Sequence, residues 1–334
     1  MIKLLKHYIN KRTITTIITS IILMIMVYIN EVDAEYIGKM YQGDNMPYLD
    51  TPINLPFGNI IAYAIILTII FTVFEFSFRM KKVTVDQMYS LPIKRSKLYL
   101  TKYIIGIFEI IIPLTLSYIV MVLMIVTKEH MFNLVYAIPH YFGVIFFTII
   151  LYTTLVFIFT RCNNTVDGLI NILLYTFFTT IIMVGLELKN GINYTILSPI
   201  ILFNNVMEFK TYGFTEFINQ KDITELIISS IYNIVLCIIM VILFFVFIKK
   251  EKAEASETKS NGVFAYNLMI PLYTTFLIAK LIDNSIPTAI IIIIASYIGY
   301  VIKNRSFKLT KKDLILFGGS IFLGFILRLI LNII

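Results

Sequence analysis

Nine apolar runs, each set off from the next by a polar or charged interval, give this chain its pattern. They cover residues 13–28, 58–78, 103–126, 139–160, 168–186, 224–248, 264–282, 286–302 and 314–334. A helix rises 1.5 Å per residue, so about 20 apolar residues cross a hydrocarbon layer roughly 30 Å thick. The pattern therefore predicts an all-α polytopic membrane protein of about nine transmembrane helices. The run at 264–282 fits least cleanly, because Asn267, Pro271 and Lys280 interrupt it.

The intervals carry their own patterns. Residues 79–102 read RMKKVTVDQMYSLPIKRSKLYLTK, a basic stop between two apolar runs. Thr84 followed three residues later by Gln87 has the spacing of a capping box. A short helix over 85–90 is expected after it, ended by Leu91 and Pro92, with a basic turn from Lys94 to Lys97 leading into the next run. Val85, Met88 and Tyr89 are spaced to anchor such a helix in a partner's groove. In residues 1–12, Ile2, Leu4, Leu5, Tyr8 and Ile9 alternate helically with Lys3, Lys6, Asn10 and Lys11. An interfacial amphipathic helix and an ordinary basic flank both fit that pattern.

Two intervals face the opposite way in this reading. Residues 29–57 are acidic and proline-containing and are expected to form a small cap or irregular loop. Residues 187–223 hold an apolar stretch at 196–203 too short to span, which suits either a re-entrant segment or a surface helix. Residues 249–263, KKEKAEASETKSNGV, read as a linker between a six-span unit at 13–248 and a three-span extension at 264–334.

Composition agrees: 58% of residues are apolar, 14% charged, and the mean hydropathy is +0.86. The charge of +8 is distributed by side. With the N-terminus cytoplasmic, nine spans place 21 Lys and Arg in cytoplasmic segments and 5 in external ones, and the C-terminus is external. Positive charge is thus a topology signal, and nucleic acid is not an expected partner. The first run follows a basic flank without a small-residue cleavage pattern, so it is expected to stay as a span of a plasma-membrane protein. Cys162 and Cys237 fall at different depths, which argues against a disulfide.

The chain has no GxxxxGK[ST] loop, no HExxH and no GxSxG elbow, and His7, His130 and His140 form no ligand spacing. No enzymatic activity, resident metal or bound cofactor is expected. The ionisable residues within the runs are Glu75, Glu109, Lys280 and Arg328. Such residues are costly in a bilayer and invite a functional reading. Glu75 can pair with Arg79 four residues on, while Lys280 and Arg328 can snorkel. Glu109, with Pro113 four residues later, suits either coupling and substrate passage or structural hydrogen bonding. Ser320 and Gly324 give a small-xxx-small spacing that permits close helix contact.

The amphipathic helix at 1–12, the loop TVDQMYSLPIKRSKLYLTKY and the LSP-containing segment after the fifth run together resemble an ABC-2 type transporter permease, over residues 1–250. The wording SLPIKRSKLYLTKYIIG and the additional spans are similar to the Firmicute Ytr-type and peptide or toxin exporter permeases. That resemblance implies a type V exporter-like six-helix core plus the three-helix extension. It makes Thr84, Val85, Asp86, Gln87, Met88, Tyr89, Leu91, Pro92 and Lys94 the ATPase-coupling residues. Glu75, Glu109 and Pro113 would then lie on the coupling or substrate path, and Leu197, Ser198 and Pro199 in the external re-entrant segment 194–206. ATP and Mg would bind a partner ABC ATP-binding subunit, and a second permease would complete a dimer embedded in membrane lipid. The expected function is ATP-driven export of a hydrophobic or amphipathic peptide, antibiotic or lipid-like molecule. A non-transporting peptide-resistance sensor subunit and an ion-coupled secondary transporter are the alternatives.

Overall fold

The computed structural model describes residues 2–32, 57–90, 92–127, 134–185, 220–250, 256–258, 260, 262–281 and 286–333. Leu197, Ser198, Pro199 and Leu91 lie outside the described residues, as do 33–56 and 187–219 of the two long intervals expected on the external side. The described residues form helices joined by turns, with no strand among them. In chain order these are α1 (Ile2–Val32), α2 (Phe57–Phe76), a 3-10 turn (Ser77–Met80), α3 (Lys82–Tyr89), α4 (Arg95–Thr127), α5 (Leu134–Phe159), α6 (Thr165–Gly185) and α7 (Gln220–Lys250). A short π-turn (Val263–Asn267) then precedes α8 (Leu268–Leu281), α9 (Ile286–Asn304) and α10 (Lys311–Ile333).

Each of the nine apolar runs falls in helix to within a residue or two. Six described segments are long and apolar enough to cross a membrane: Tyr8–Ile29, Ile60–Met80, Arg95–Met124, Tyr141–Phe159, Pro287–Asn304 and Lys311–Ile330. Shorter apolar stretches lie at Thr165–Thr176, Ile234–Lys249 and Ala265–Ala279. Isoleucines 14, 17, 18, 21 and 25 of α1 point outward, as do Ile291, Ile294 and Ile298 of α9. Apolar faces of this kind suit lipid as solvent.

The chain forms two compact units, and their boundaries differ from a division into six and three spans. The first comprises residues 1–75, 93–155 and 201–249. Here α1 packs along α4, with no backbone break at residue 12 to set an N-terminal segment apart from the first span. A side chain at residue 106 would place its Cβ 1.9 Å from the Tyr152 hydroxyl oxygen, so Gly106 is what lets the α5 tyrosine seat against α4. Pro113 lies inside the continuous α4. Lacking an N–H, it removes the usual helical partner of the Glu109 carbonyl.

The second unit comprises residues 76–92, 156–200 and 250–334, in which α8 packs on α6, α9 and α10. The Ser320 and Gly324 pair does bring helices close. A Cβ on Gly324 would meet Ile278 of α8 at 2.9 Å, and Thr275 Oγ1 donates to the Ser320 carbonyl at 3.2 Å. Pro271 lies inside α8, at its fourth residue, and supplies no N–H to the helix there.

Candidate functional site

Two groups of polar side chains stand out, one in each unit. In the first, Glu75 near the end of α2 is fully buried and carries two cations from other helices. Lys102 Nζ of α4 donates to its Oε2 at 2.9 Å, and Arg12 Nη2 of α1 lies 2.8 Å from Oε1, close in charge but not aligned as a hydrogen bond. The expected local pairing with Arg79 thus gives way to tertiary pairs, because burial demands closer compensation than an exposed i,i+4 contact supplies. Arg12 also stacks over the Phe74 ring at 4.0 Å and Lys102 over Tyr8 at 4.3 Å.

Glu109, two turns beyond Lys102, is bound more loosely. Its Oε1 lies 3.8 Å from Arg12 Nε and accepts from Thr15 Oγ1 at 3.4 Å. Its Oε2 is buried and finds no hydrogen-bond partner among the described residues. The buried Tyr152 hydroxyl is in the same condition, while the neighbouring Tyr103 hydroxyl bonds Thr153 Oγ1 at 2.6 Å. Two acids, Glu75 and Glu109, and two bases, Arg12 and Lys102, give the group no formal net charge. Among the described residues no three His, Cys, Asp or Glu side chains group as metal ligands.

The second group surrounds α3. This helix starts at Lys82, two residues before the expected Thr84 cap, and its N-cap residue Lys81 makes no side-chain cap bond. Thr84 lies within the helix and donates to the Phe78 carbonyl at 2.6 Å and the Lys81 carbonyl at 2.8 Å. The capping box with Gln87 is therefore replaced. Glu257, from the segment expected to be a linker, accepts from the Lys82 N–H through Oε1 at 3.2 Å. A carboxylate there also suits the positive end of the helix dipole.

Glu257 is held in place in turn. It adopts a φ of 65°, and its N–H donates to the Asn163 carbonyl at 2.9 Å. Asn163 donates from its N–H to Ser260 Oγ at 2.9 Å and from Nδ2 to Thr258 Oγ1 at 3.1 Å. Ser260 Oγ and the Tyr266 hydroxyl both donate to Asp167, and Arg79 donates to the Cys162 carbonyl at 2.7 Å. The base of α3, the α5–α6 turn and residues 257, 258 and 260 form one hydrogen-bonded junction. Burial pushes the Cys162 thiol within it up to about 12.

The expected coupling residues divide by exposure. Val85 is 1% exposed and packs inward, which corrects its assignment as an outward anchor: a helix this short needs one face to hold it to its own unit. Met88 and Tyr89 are half-buried. Asp86, Gln87, Pro92 and Lys94 are exposed, and Val83, which the sequence reading passed over, is 70% exposed. Sequence reasoning also missed Arg12 and Lys102 as charge partners, counting both as basic flanks. The spacing of Lys102 and Glu109, seven residues apart on one helical face, was the available signal.

No protein-family model matches the chain, and no curated protein or solved structure is significantly similar to it. The helices, their outward apolar faces and their span lengths define an all-helical, polytopic membrane protein.

Proposed function

We propose that the chain is the transmembrane permease subunit of an ATP-driven exporter. A separate ATPase subunit would hydrolyse ATP with Mg and push on α3, and a cavity shared with a second permease would carry a hydrophobic or amphipathic peptide, antibiotic or lipid-like molecule. In this reading the protein is a plasma-membrane component of nine spans, with a cytoplasmic N-terminus and an external C-terminus.

The observation that carries the proposal is α3 itself. It is an eight-residue helix following a membrane-length segment, fixed at its base by Glu257, Arg79 and the buried Val85. Such a mounting passes force to the helices behind it, whereas a loose loop would absorb it. The exposed Val83, Asp86 and Gln87 lie on the outward face, within reach of a partner's cleft. Val83→Asp is the cleaner probe, since Tyr89→Asp would also disturb half-buried packing.

The test is affinity purification of the tagged protein from its native membrane in mild detergent, with identification of co-purifying proteins and an ATPase assay. An ABC ATPase that accompanies the wild type and is lost with Val83→Asp supports the reading. A stable protein that brings down no ATPase overturns it. Glu109, buried with one oxygen that has no hydrogen-bond partner among the described residues, gives specific support to a second reading as a proton-coupled carrier. Proton flux into liposomes without ATP would decide for that alternative.

A further inference from the structure

Between α9 and α10 lies a loop whose tip turns away from the interior. Phe307 at its tip is 80% exposed, the most exposed large apolar side chain among the described residues. It lies between two membrane-length segments, one ending at Asn304 and the next starting at Lys311. Lipid-facing positions within spans have a reason to be bare and apolar. Phe307, outside both windows, does not share it.

The exposure is enforced by the backbone. Tyr297 donates its hydroxyl to the Phe307 carbonyl at 2.9 Å. Two residues on, Leu309 turns the other way and packs against Tyr266, Ile270 and Tyr300. Asp313, buried at the start of α10, accepts from Lys303, from Asn304 Nδ2 at 2.7 Å and from Thr310 Oγ1 at 2.6 Å, while its own N–H donates to Thr310 Oγ1. The loop is therefore pinned on both sides of residue 307, and the phenyl ring is held outward.

The charges around it are one-sided. Lys303 is taken by Asp313, and Arg305 lies 4.0 Å from Asp167. Lys308, Lys311 and Lys312 are exposed. An aromatic ring flanked by lysines, at the level where two membrane-length helices end, matches the headgroup layer of an anionic bilayer: the ring enters the interface and the ammonium groups meet phosphates.

We propose that the α9–α10 loop is a docking element for anionic lipid headgroups, with Phe307 as the interfacial wedge and Lys308, Lys311 and Lys312 as the phosphate contacts. This inference rests on the protein's membrane class alone and is independent of the exporter reading.

The chain contains no tryptophan, so Phe307→Trp in the full-length protein supplies a single fluorescent reporter at the tip. The protein is placed in nanodiscs of phosphatidylcholine, with or without phosphatidylglycerol, and emission and quenching by acrylamide or by brominated acyl chains are recorded. With phosphatidylglycerol present, emission is expected at shorter wavelength, with protection from acrylamide and quenching by brominated lipid. In Phe307→Trp carrying Lys308→Gln, Lys311→Gln and Lys312→Gln, that dependence is expected to vanish. In the otherwise wild-type protein the same three glutamines should cut retained phosphatidylglycerol, by about fivefold per lysine that contacts a headgroup. Water-like emission in both lipid mixtures, equal protection in both, or protection gained only on adding a soluble protein partner would each overturn the proposal. Unchanged helical circular dichroism confirms that the variants are folded.

Discussion

Among the described residues of the first unit, Glu75 is the buried charge on which both Arg12 and Lys102 converge. Removing one member of a buried ion pair leaves the others uncompensated, at a cost of about 3–5 kcal/mol. Glu75→Gln is expected to lower the unfolding midpoint in detergent strongly. Glu109→Gln should do so far less, because Arg12 is 3.8 Å away and the second carboxylate oxygen has no hydrogen-bond partner among the described residues to lose. Equal midpoints for the two variants would refute this ranking, and loss of transport in a stable Glu109→Gln protein would assign Glu109 to coupling. Cys162 gives a pH-dependent counterpart. Its thiol stays protonated in the folded protein until near pH 12, whereas an unfolded chain loses that proton near about 8.5. The native state then binds more protons, so its contribution to stability is complete below about pH 8.5 and declines as pH rises toward the folded value. Maleimide labelling of native Cys162 should stay slow at about pH 9, where an exposed thiol reacts readily; rapid labelling would contradict the burial.

At the scale of elements, α3 was legible as a short helix, but its ends and its exposed face were not. Local spacing nominated Thr84 as the cap and Val85 as an outward anchor. The carboxylate that meets the first turn comes from residue 257, far along the chain, and no local pattern announces it. Glu257→Ala is expected to cost about 1 kcal/mol, in line with the loss of an N-terminal cap, and to speed amide hydrogen exchange across 82–86. Unchanged exchange there would show that the carboxylate does not hold the helix. The contact between α8 and α10 behaves differently, since the Ser320 and Gly324 spacing signalled it directly. Gly324→Val would drive a side chain into Ile278 and the Thr275 carbonyl. A marked fall in thermal stability is predicted, whereas Gly319→Ala, with nothing within 4 Å, should be nearly neutral.

Across the whole molecule, charge asymmetry and nine apolar runs predict termini on opposite sides of the membrane. Single cysteines placed at each end of a Cys162→Ser, Cys237→Ser background, labelled with an impermeant maleimide in oriented vesicles, will read this out. Labelling of both from one side would remove the odd span count. The two compact units also show why segment order is a poor guide to domains in this chain. Residues 76–92 and 156–200 share a unit with the last three helices, although the only linker-like composition lies at 249–263. Glu257, Thr258 and Ser260 of that segment tie it to its unit: their side chains meet the α5–α6 turn and the base of α3.

The sequence alone determined the helical class, the positions of the apolar helices and the lack of a phosphate-binding loop, an HExxH pair and a nucleophile elbow. These follow from hydropathy, period and spacing, which act over neighbouring residues and need no knowledge of what packs where. Only the tertiary structure decided that Glu75 binds Arg12 and Lys102, that Val85 points inward, that Glu257 meets α3 and that Phe307 is held outward. Each of those depends on which distant segments come together, and burial then sets its own terms: a charge taken from water must find an opposite charge or a donor wherever the fold brings one, whatever lies next to it in the chain.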